Sequence, residues 1–282
     1  MIYKRGRWRQ EGYRHMKTRL LFYILSGCLI LAQMSGCAPI RPVEKSFIPP
    51  GLSPEAILEK ISHTHDPDTV LSAMAKLTIT NPEGRVSRTV AMAVKHPSSL
   101  RIEALPVFGT PDLLLCANSR YLQVFLPQEG TYYIGSPTRK NIFLFSRLFF
   151  DIDDAVSILT GIRPVVTKEN LLVSGSRDGD LYRLDISTND RILQSVWVQP
   201  HSFALARLSS YDAEGTLVYH VQYGNYSAIN GSSYPREITV TSSVPEKIRV
   251  VIKLARLSVA RDTGDALFSL PVPPGIIPRY LE

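Results

Sequence analysis

Cysteine is scarce in this chain: Cys28, Cys37 and Cys116 are the only three in 282 residues. A four-thiolate zinc site and a framework of several disulfides are thereby excluded. Long apolar runs are also missing. Leu20 to Ala32 is mostly apolar but well short of the ~20 residues that carry a helix across a bilayer. No Gly-x-Ser-x-Gly elbow, His-Glu-x-x-His helix, Cys-x-x-Cys pair or glycine-rich phosphate loop occurs, so the familiar fingerprints of hydrolases, metalloproteases and nucleotide enzymes are absent. A triad's members need not be neighbours in sequence, and a hydrolase stays a third-ranked reading. His63, His65, Asp66 and Asp68 read as a solvated loop rather than a metal site, because they lack a defined ligand set and a supporting shell. No metal and no cofactor are expected.

What is present is concentrated at the amino end. Lys4, Arg5, Arg7, Arg9, Arg14, Lys17 and Arg19 precede the apolar run, and Met34-Ser35-Gly36-Cys37 follows it. A basic segment, a short apolar core and small residues at a cleavage point mark an export signal. Met16-Lys17-Thr18-Arg19 would serve equally well as its start. The cysteine after Ser-Gly resembles the lipobox of bacterial lipoproteins, and that resemblance implies lipidation of Cys37. Leu25-Ser26-Gly27-Cys28 is a second such string. Cleavage there leaves an apolar core shorter than the roughly 7–15 residues of an export signal, so Cys37 is preferred.

Strong positive charge disappears with the signal. Residues 1–36 hold 7 of the 32 basic and 1 of the 25 acidic residues, so 25 remain against 24 and the formal +7 falls to +1. Nucleic acid is therefore not an expected partner. Cys116, in Leu113-Leu114-Leu115-Cys116-Ala117, has no partner left for a disulfide and reads as a buried small hydrophobe.

Three segments emerge: a lipoprotein signal at 1–36, a lipidated proline-rich tether at 37–52, and a single domain at 53–282. Pro39, Pro42, Pro49 and Pro50 make the tether extended, with a reach of roughly 40 Å at ~3.1 Å per residue. Ser53 then Pro54 start a helix carrying Ile57, Leu58 and Ile61. From Ser72 the apolar period changes from helical to two. About a dozen strand-like runs follow, separated by turn signals such as Glu83-Gly84, Glu129-Gly130, Asp178-Gly179-Asp180 and Glu214-Gly215. So many sequential antiparallel strands must curl or close.

The meander is broken once. Asn141 to Phe150 is apolar nearly all round, and Asp151 to Asp154 begin a helix that Gly161 stops. A helix apolar on every face is buried or covers a cavity. The segment reads either as a lid or plug between two half-sheets or as a helix packed on one sheet face. Asp151, Asp153 and Asp154 fit a helix start without catalysis.

Several pieces, taken together, resemble the LolA/LolB-like periplasmic lipoprotein carriers and receptors. They are Leu100 to Gly109, Tyr133-Ile134-Gly135, Asp154 to Gly161, Val221 to Tyr226 with Pro235 to Ile238, and Ala266 to Pro271. The resemblance spans roughly residues 57–274 and is nearest to the LolB-like lipoproteins. It implies a mainly β, α+β fold: an unclosed β-barrel lidded by helices around an apolar cavity that takes acyl chains. Phe143, Phe145, Leu148 and Phe149 would line or cover that cavity. It also implies an apolar side chain at the tip of a loop between early strands that engages the membrane, here Phe108 with Val107 beside it. Burial of Phe108 in the core is the competing fate. Ala38 rather than aspartate after Cys37 implies the outer membrane, facing the periplasm. Expected partners are the membrane, the acyl chains of lipoproteins or lipids, and a periplasmic LolA-like carrier, bound by a monomer without catalysis. The alternative is an assembly lipoprotein that grips one protein partner through the half-barrel.

Overall fold

Period-two alternation becomes strand wherever one face can be buried. A computed structural model of the chain describes residues 52–62, 66, 68–106, 108–189, 191–261 and 264–282, all within one unit spanning Lys45–Glu282. Cys28, Cys37, the tether to Gly51, the 63–65 histidine stretch and Val107 lie outside the described residues.

Helix α1 (Pro54–Ser62) is capped by Ser53, whose Oγ accepts from the Ala56 N–H at 3.2 Å. The first meander follows: β1 (Thr69–Asn81), β2 (Gly84–Lys95), β3 (Ser99–Leu105), β4 (Leu113–Ala117), β5 (Leu122–Leu126) and β6 (Thr131–Gly135). Helices α2 (Arg139–Ser146) and α3 (Ile152–Thr160) interrupt it. The second meander comprises β7 (Leu172–Asp178), β8 (Leu181–Thr188), β9 (Arg191–Val198), β10 (Leu205–Tyr211) and β11 (Leu217–Gly224). It then runs through a small hairpin, β12 (Ser227–Ile229) with β13 (Ser232–Tyr234), into β14 (Glu237–Ser242) and β15 (Ile248–Arg261). A short 3₁₀ turn at Asp265–Phe268 leads to β16 (Arg279–Tyr280).

Fourteen strands form one sheet in the order β16-β6-β5-β4-β3-β2-β1-β15-β14-β11-β10-β9-β8-β7. The first and last long strands, β1 and β15, pair antiparallel from Thr69↔Arg261 to Thr80↔Arg249 and join the two meanders at the middle. One margin is β6 edged by the short β16 and the other is β7; the two margins do not pair, so the barrel is unclosed. The segment carrying α2 and α3 connects one margin to the other. All pairing is antiparallel except β16 on β6, which is parallel. Register shifts occur in four of the strand pairs among the described residues; in the central one β15 carries an extra residue opposite β1 between Ser72 and Met74, with Arg256 left-handed at φ 46°.

The core sits between the concave face and the helices. Along β2, Val90, Met92 and Val94 are buried, and so are Val240, Val250 and Ile252 of β14 and β15. In α3 the buried residues run from Ile152 through Ala155 to Thr160. The helix stops at Gly161, left-handed at φ 77°. A Cβ there would stand 2.6 Å from Pro235 Cδ, so both backbone and space require glycine.

Two local expectations need correction. Asp151 does not cap α3 with its side chain; its carboxylate turns to the Arg139 guanidinium at 2.6 Å, a charge-assisted contact stronger than a cap. The run 141–150 is not one helix apolar all round. It begins at Arg139 under a Thr138 cap and ends at Ser146 because Arg147 is left-handed. Leu144 and Phe149 are consequently partly exposed.

Candidate functional site

The inward faces of the first meander do not meet the helices everywhere, and a cavity of about 260 Å³ is left between them. Its floor is made by alternate residues of successive strands: Leu77 and Ile79 of β1, Val90 and Met92 of β2, Ile102 of β3 and Leu115 of β4. Val240, Val250 and Ile252 close the side toward the second meander. Its roof is helical: Ile142 and Phe145 from α2, Leu148 and Phe150 from the connection, and Ile152, Ala155, Ile158 and Leu159 from α3.

The volume exceeds eight water molecules at ~30 Å³ each, yet so apolar a wall gives water few partners. Among the described residues only two polar side chains, Arg88 and Ser146, line it. The Ser146 hydroxyl is engaged with the backbone of Leu148, accepting from its N–H at 3.0 Å and lying 3.2 Å from its carbonyl. The size is just under the roughly 300–1,000 Å³ of ordinary small-molecule sites. Such a space suits a thin apolar chain.

The roof is fastened at several points. Tyr219 of β11 donates to Asp154 of α3 at 3.1 Å. At the other end of α3, Thr160 Oγ1 and His96 Nε2 lie 3.1 Å apart. The Arg139–Asp151 ion pair links α2 to the start of α3. The Phe145 and Tyr133 rings, 5.5 Å apart, hold α2 to β6.

Burial dominates the electrostatics here. It pushes the Asp154 carboxyl up to about 6; the Tyr219 hydrogen bond opposes the shift and Asp151 adds to it. Burial also holds the Tyr219 hydroxyl well above its usual range, so it remains a donor. His96 is pushed down by burial.

Phe145 and Leu148 are brought together on the cavity wall. Phe143 and Phe149 are not among the lining residues; their rings pack edge-on at 6.4 Å. Phe108 stands on the β3–β4 loop and is 90% exposed. Ala104, one residue before the end of β3, and Leu113, the first residue of β4, both line the cavity. Sequence reasoning missed Arg88, although it stands two positions before the inward series Val90, Met92, Val94 of β2. It missed the Asp154–Tyr219 contact too, which joins residues 65 positions apart and leaves no local signal.

The convex face brings Ser209 Oγ and His220 Nδ1 to 2.9 Å. The neighbouring Asp185 is engaged instead with Ser195 and Arg183, so the three do not assemble into a catalytic triad. Cys116 is 1% exposed, and burial pushes its thiol up. Among the described residues no group of three or more His, Cys, Asp or Glu side chains could hold a metal ion. No described helix is long and apolar enough to cross a membrane.

Neither a protein-family model nor a curated protein matches the sequence. Solved structures do match. A LolA superfamily protein from Nitrosomonas europaea superposes with a TM-score of 0.54 at 16% identity, over 78% of this chain and 98% of that one. A DUF1329 family protein from Desulfovibrio piger gives 0.58 at 18% identity, over 77% and 95%. An outer membrane lipoprotein-sorting protein domain from Vibrio parahaemolyticus gives 0.52 at 13% identity, over 75% and 94%. At these identities the likeness is one of fold: a LolA-like unclosed barrel.

Proposed function

We propose that this chain is a lipid-anchored envelope protein of the LolB-like kind. It houses acyl chains of lipoproteins or lipids in the lidded cavity and assists their delivery to the outer membrane without chemistry. The observation that carries this reading is the cavity itself: about 260 Å³ walled almost wholly by aliphatic and aromatic side chains, under two helices that bridge the open margins of the sheet. Burying apolar surface is worth roughly 25 cal/mol per Å², which drives an acyl chain into such a space without any directed contact.

Phe108 supports the delivery step. An exposed phenyl ring beside the cavity-lining ends of β3 and β4 suits transient insertion into a bilayer. The lipobox at Cys37 supports the anchor, and Ala38 supports the outer membrane. In cells, palmitate is expected to label the chain and to be lost in Cys37→Ser but not in Cys28→Ser.

The decisive experiment is mass spectrometry of lipids that co-purify with the full chain. Acyl species in stoichiometric amount are expected, and they should fall when the cavity is filled by substitution. A chain that carries no lipid and takes up no acyl probe overturns the reading. In-envelope crosslinking separates the assembly alternative: capture of many lipoproteins supports transfer, and one stoichiometric partner supports scaffolding.

A further inference from the structure

Arg88 occupies an inward position on β2, in register with Leu77 of β1 and followed by the buried Val90 and Met92. Among the described residues it is the one charged side chain in the lining of the apolar cavity. On its other side it borders an outer cleft that also holds Lys76, Pro106 and Asp112, which places its guanidinium at the cavity rim. Its aliphatic stem can cover apolar wall while its head stays in water, and the side chain is 55% exposed.

The guanidinium is loosely held. Nε lies 3.5 Å from Asp112 Oδ2, and Nη1 donates to the Ser87 carbonyl at 3.1 Å. Three arginine pairs are tighter, at 2.6 Å for Arg139–Asp151, 2.7 Å for Arg101–Glu103 and 2.9 Å for Arg183–Asp185, while Arg207–Asp178 and Arg177–Asp180 are longer, at 3.7 and 3.8 Å. The second carboxylate oxygen of Asp112 is already taken by Gln128 Nε2 at 2.9 Å. A planar cation that presents several donors at the mouth of an otherwise apolar hollow matches a carboxylate or a phosphate.

We propose that the cavity takes a single-chain amphiphile with an anionic end, and that Arg88 holds that end in exchange for Asp112. The proposal rests on the acyl-chain reading above and adds the class of ligand. The tail fills the space between β2 and α3, while the carboxylate or phosphate stays at the rim, partly solvated. Ser146, the other polar residue of the described lining, is spent on Leu148, which leaves Arg88 as the lining group that meets the head.

Calorimetric titration of the full chain carrying Cys37→Ser, which removes competing anchor chains, tests this with dodecanoate, dodecyl phosphate and dodecanol. The anionic ligands are expected to bind about tenfold tighter than the alcohol, the scale of a charge-assisted hydrogen bond. Arg88→Gln should abolish that preference, and Arg88→Lys should keep part of it. Dodecanoate ahead identifies a fatty acid and dodecyl phosphate ahead identifies a phosphate ester; both support the proposal. Asp112→Asn frees the guanidinium and should tighten both anions. Equal affinity for all three ligands, or a preference that survives in folded Arg88→Gln, overturns the role of Arg88 and leaves the cavity reading intact. Failure of all three to bind overturns the cavity reading itself.

Discussion

Tyr219 on β11 and Asp154 on α3 meet at 3.1 Å, hydroxyl to carboxylate, and fasten the lid helix to the second half-sheet. The contact is paid for in desolvation, since burial raises the Asp154 carboxyl from 3.8 to about 6. Below pH 4 the group is protonated in both folded and unfolded chains and contributes no pH dependence. Between pH 4 and 6 the unfolded chain releases the proton first, so stability falls as pH rises. The loss is complete above pH 6 and amounts to about 2–3 kcal/mol. Asp154→Asn keeps the shape and an acceptor for Tyr219 but cannot ionise. Thermal melts at pH 4, 5, 6 and 7 should show the variant gaining on the unaltered chain across this window. Parallel curves would show that Asp154 is not the group responsible.

The cavity makes a prediction of opposite sign to ordinary core mutagenesis. Ala155 on α3 lines the open space and is 7% exposed. Enlarging a residue in a filled core costs typically 1–3 kcal/mol. Ala155→Phe should instead grow into the void and leave the melting temperature within a few degrees of the original. It should weaken acyl-chain binding about tenfold or more by occupying the ligand's place. Leu208, fully buried and away from the cavity, is the control. Leu208→Ala should cost about 2–5 kcal/mol with no direct effect on binding.

Phe108 separates stability from delivery. A side chain that is 90% exposed contributes little to folding, so Phe108→Ser should stay within about 0.5 kcal/mol of the parent. If the ring enters the bilayer, burying it gains about 1.5–3 kcal/mol. Its loss should then slow transfer of a fluorescent acyl ligand to vesicles roughly tenfold while affinity for the ligand stays constant. Unchanged transfer would remove Phe108 from the delivery step.

Much of this architecture was legible because burial on one face imposes alternation. The long strands from β1 to β11, with β14 and β15, announce themselves through residues such as Leu184 and Ile186 or Val196 and Val198, separated by one position and buried together. The short pieces did not. Three-residue strands such as Ser227–Ile229 are below one full alternation, and Arg279–Tyr280 is a strand only because β6 lies beside it. In α2, apolar content overstated burial. Helical phase sends Ile142 and Phe145 to the cavity and leaves Leu144 out, and Arg147 ends the helix without a glycine to signal it. The cavity was legible only as a resemblance, because alternation tells which face is inward and not how far apart two inward faces stand.

The carboxyl-terminal strap carries the last prediction. Tyr132 donates to the Leu270 carbonyl at 2.6 Å, and Gln123 bonds both the carbonyl and the N–H of Leu270. Arg101 reaches the Leu267 carbonyl at 3.0 Å, and Leu281 donates to the Ile134 carbonyl at 2.9 Å. Leu270 and Ile276 thereby pack over Cys116, Tyr132 and Phe125 on the convex face, while β16 covers the β6 margin. Gly135 is needed beneath the strap, since a Cβ there would stand 2.6 Å from the Leu281 Cβ. Tyr132→Phe removes one of several anchors and should cost about 1 kcal/mol. Removing residues 264–282 strips all of them, bares an apolar face and opens a sheet edge that can pair with another chain. The truncated chain should therefore self-associate in size-exclusion chromatography, and Cys116 should react with a thiol reagent at a rate far above that in the intact protein. A monomeric truncation with an inert thiol would mean that the first meander closes its own outer face and that the strap serves another purpose.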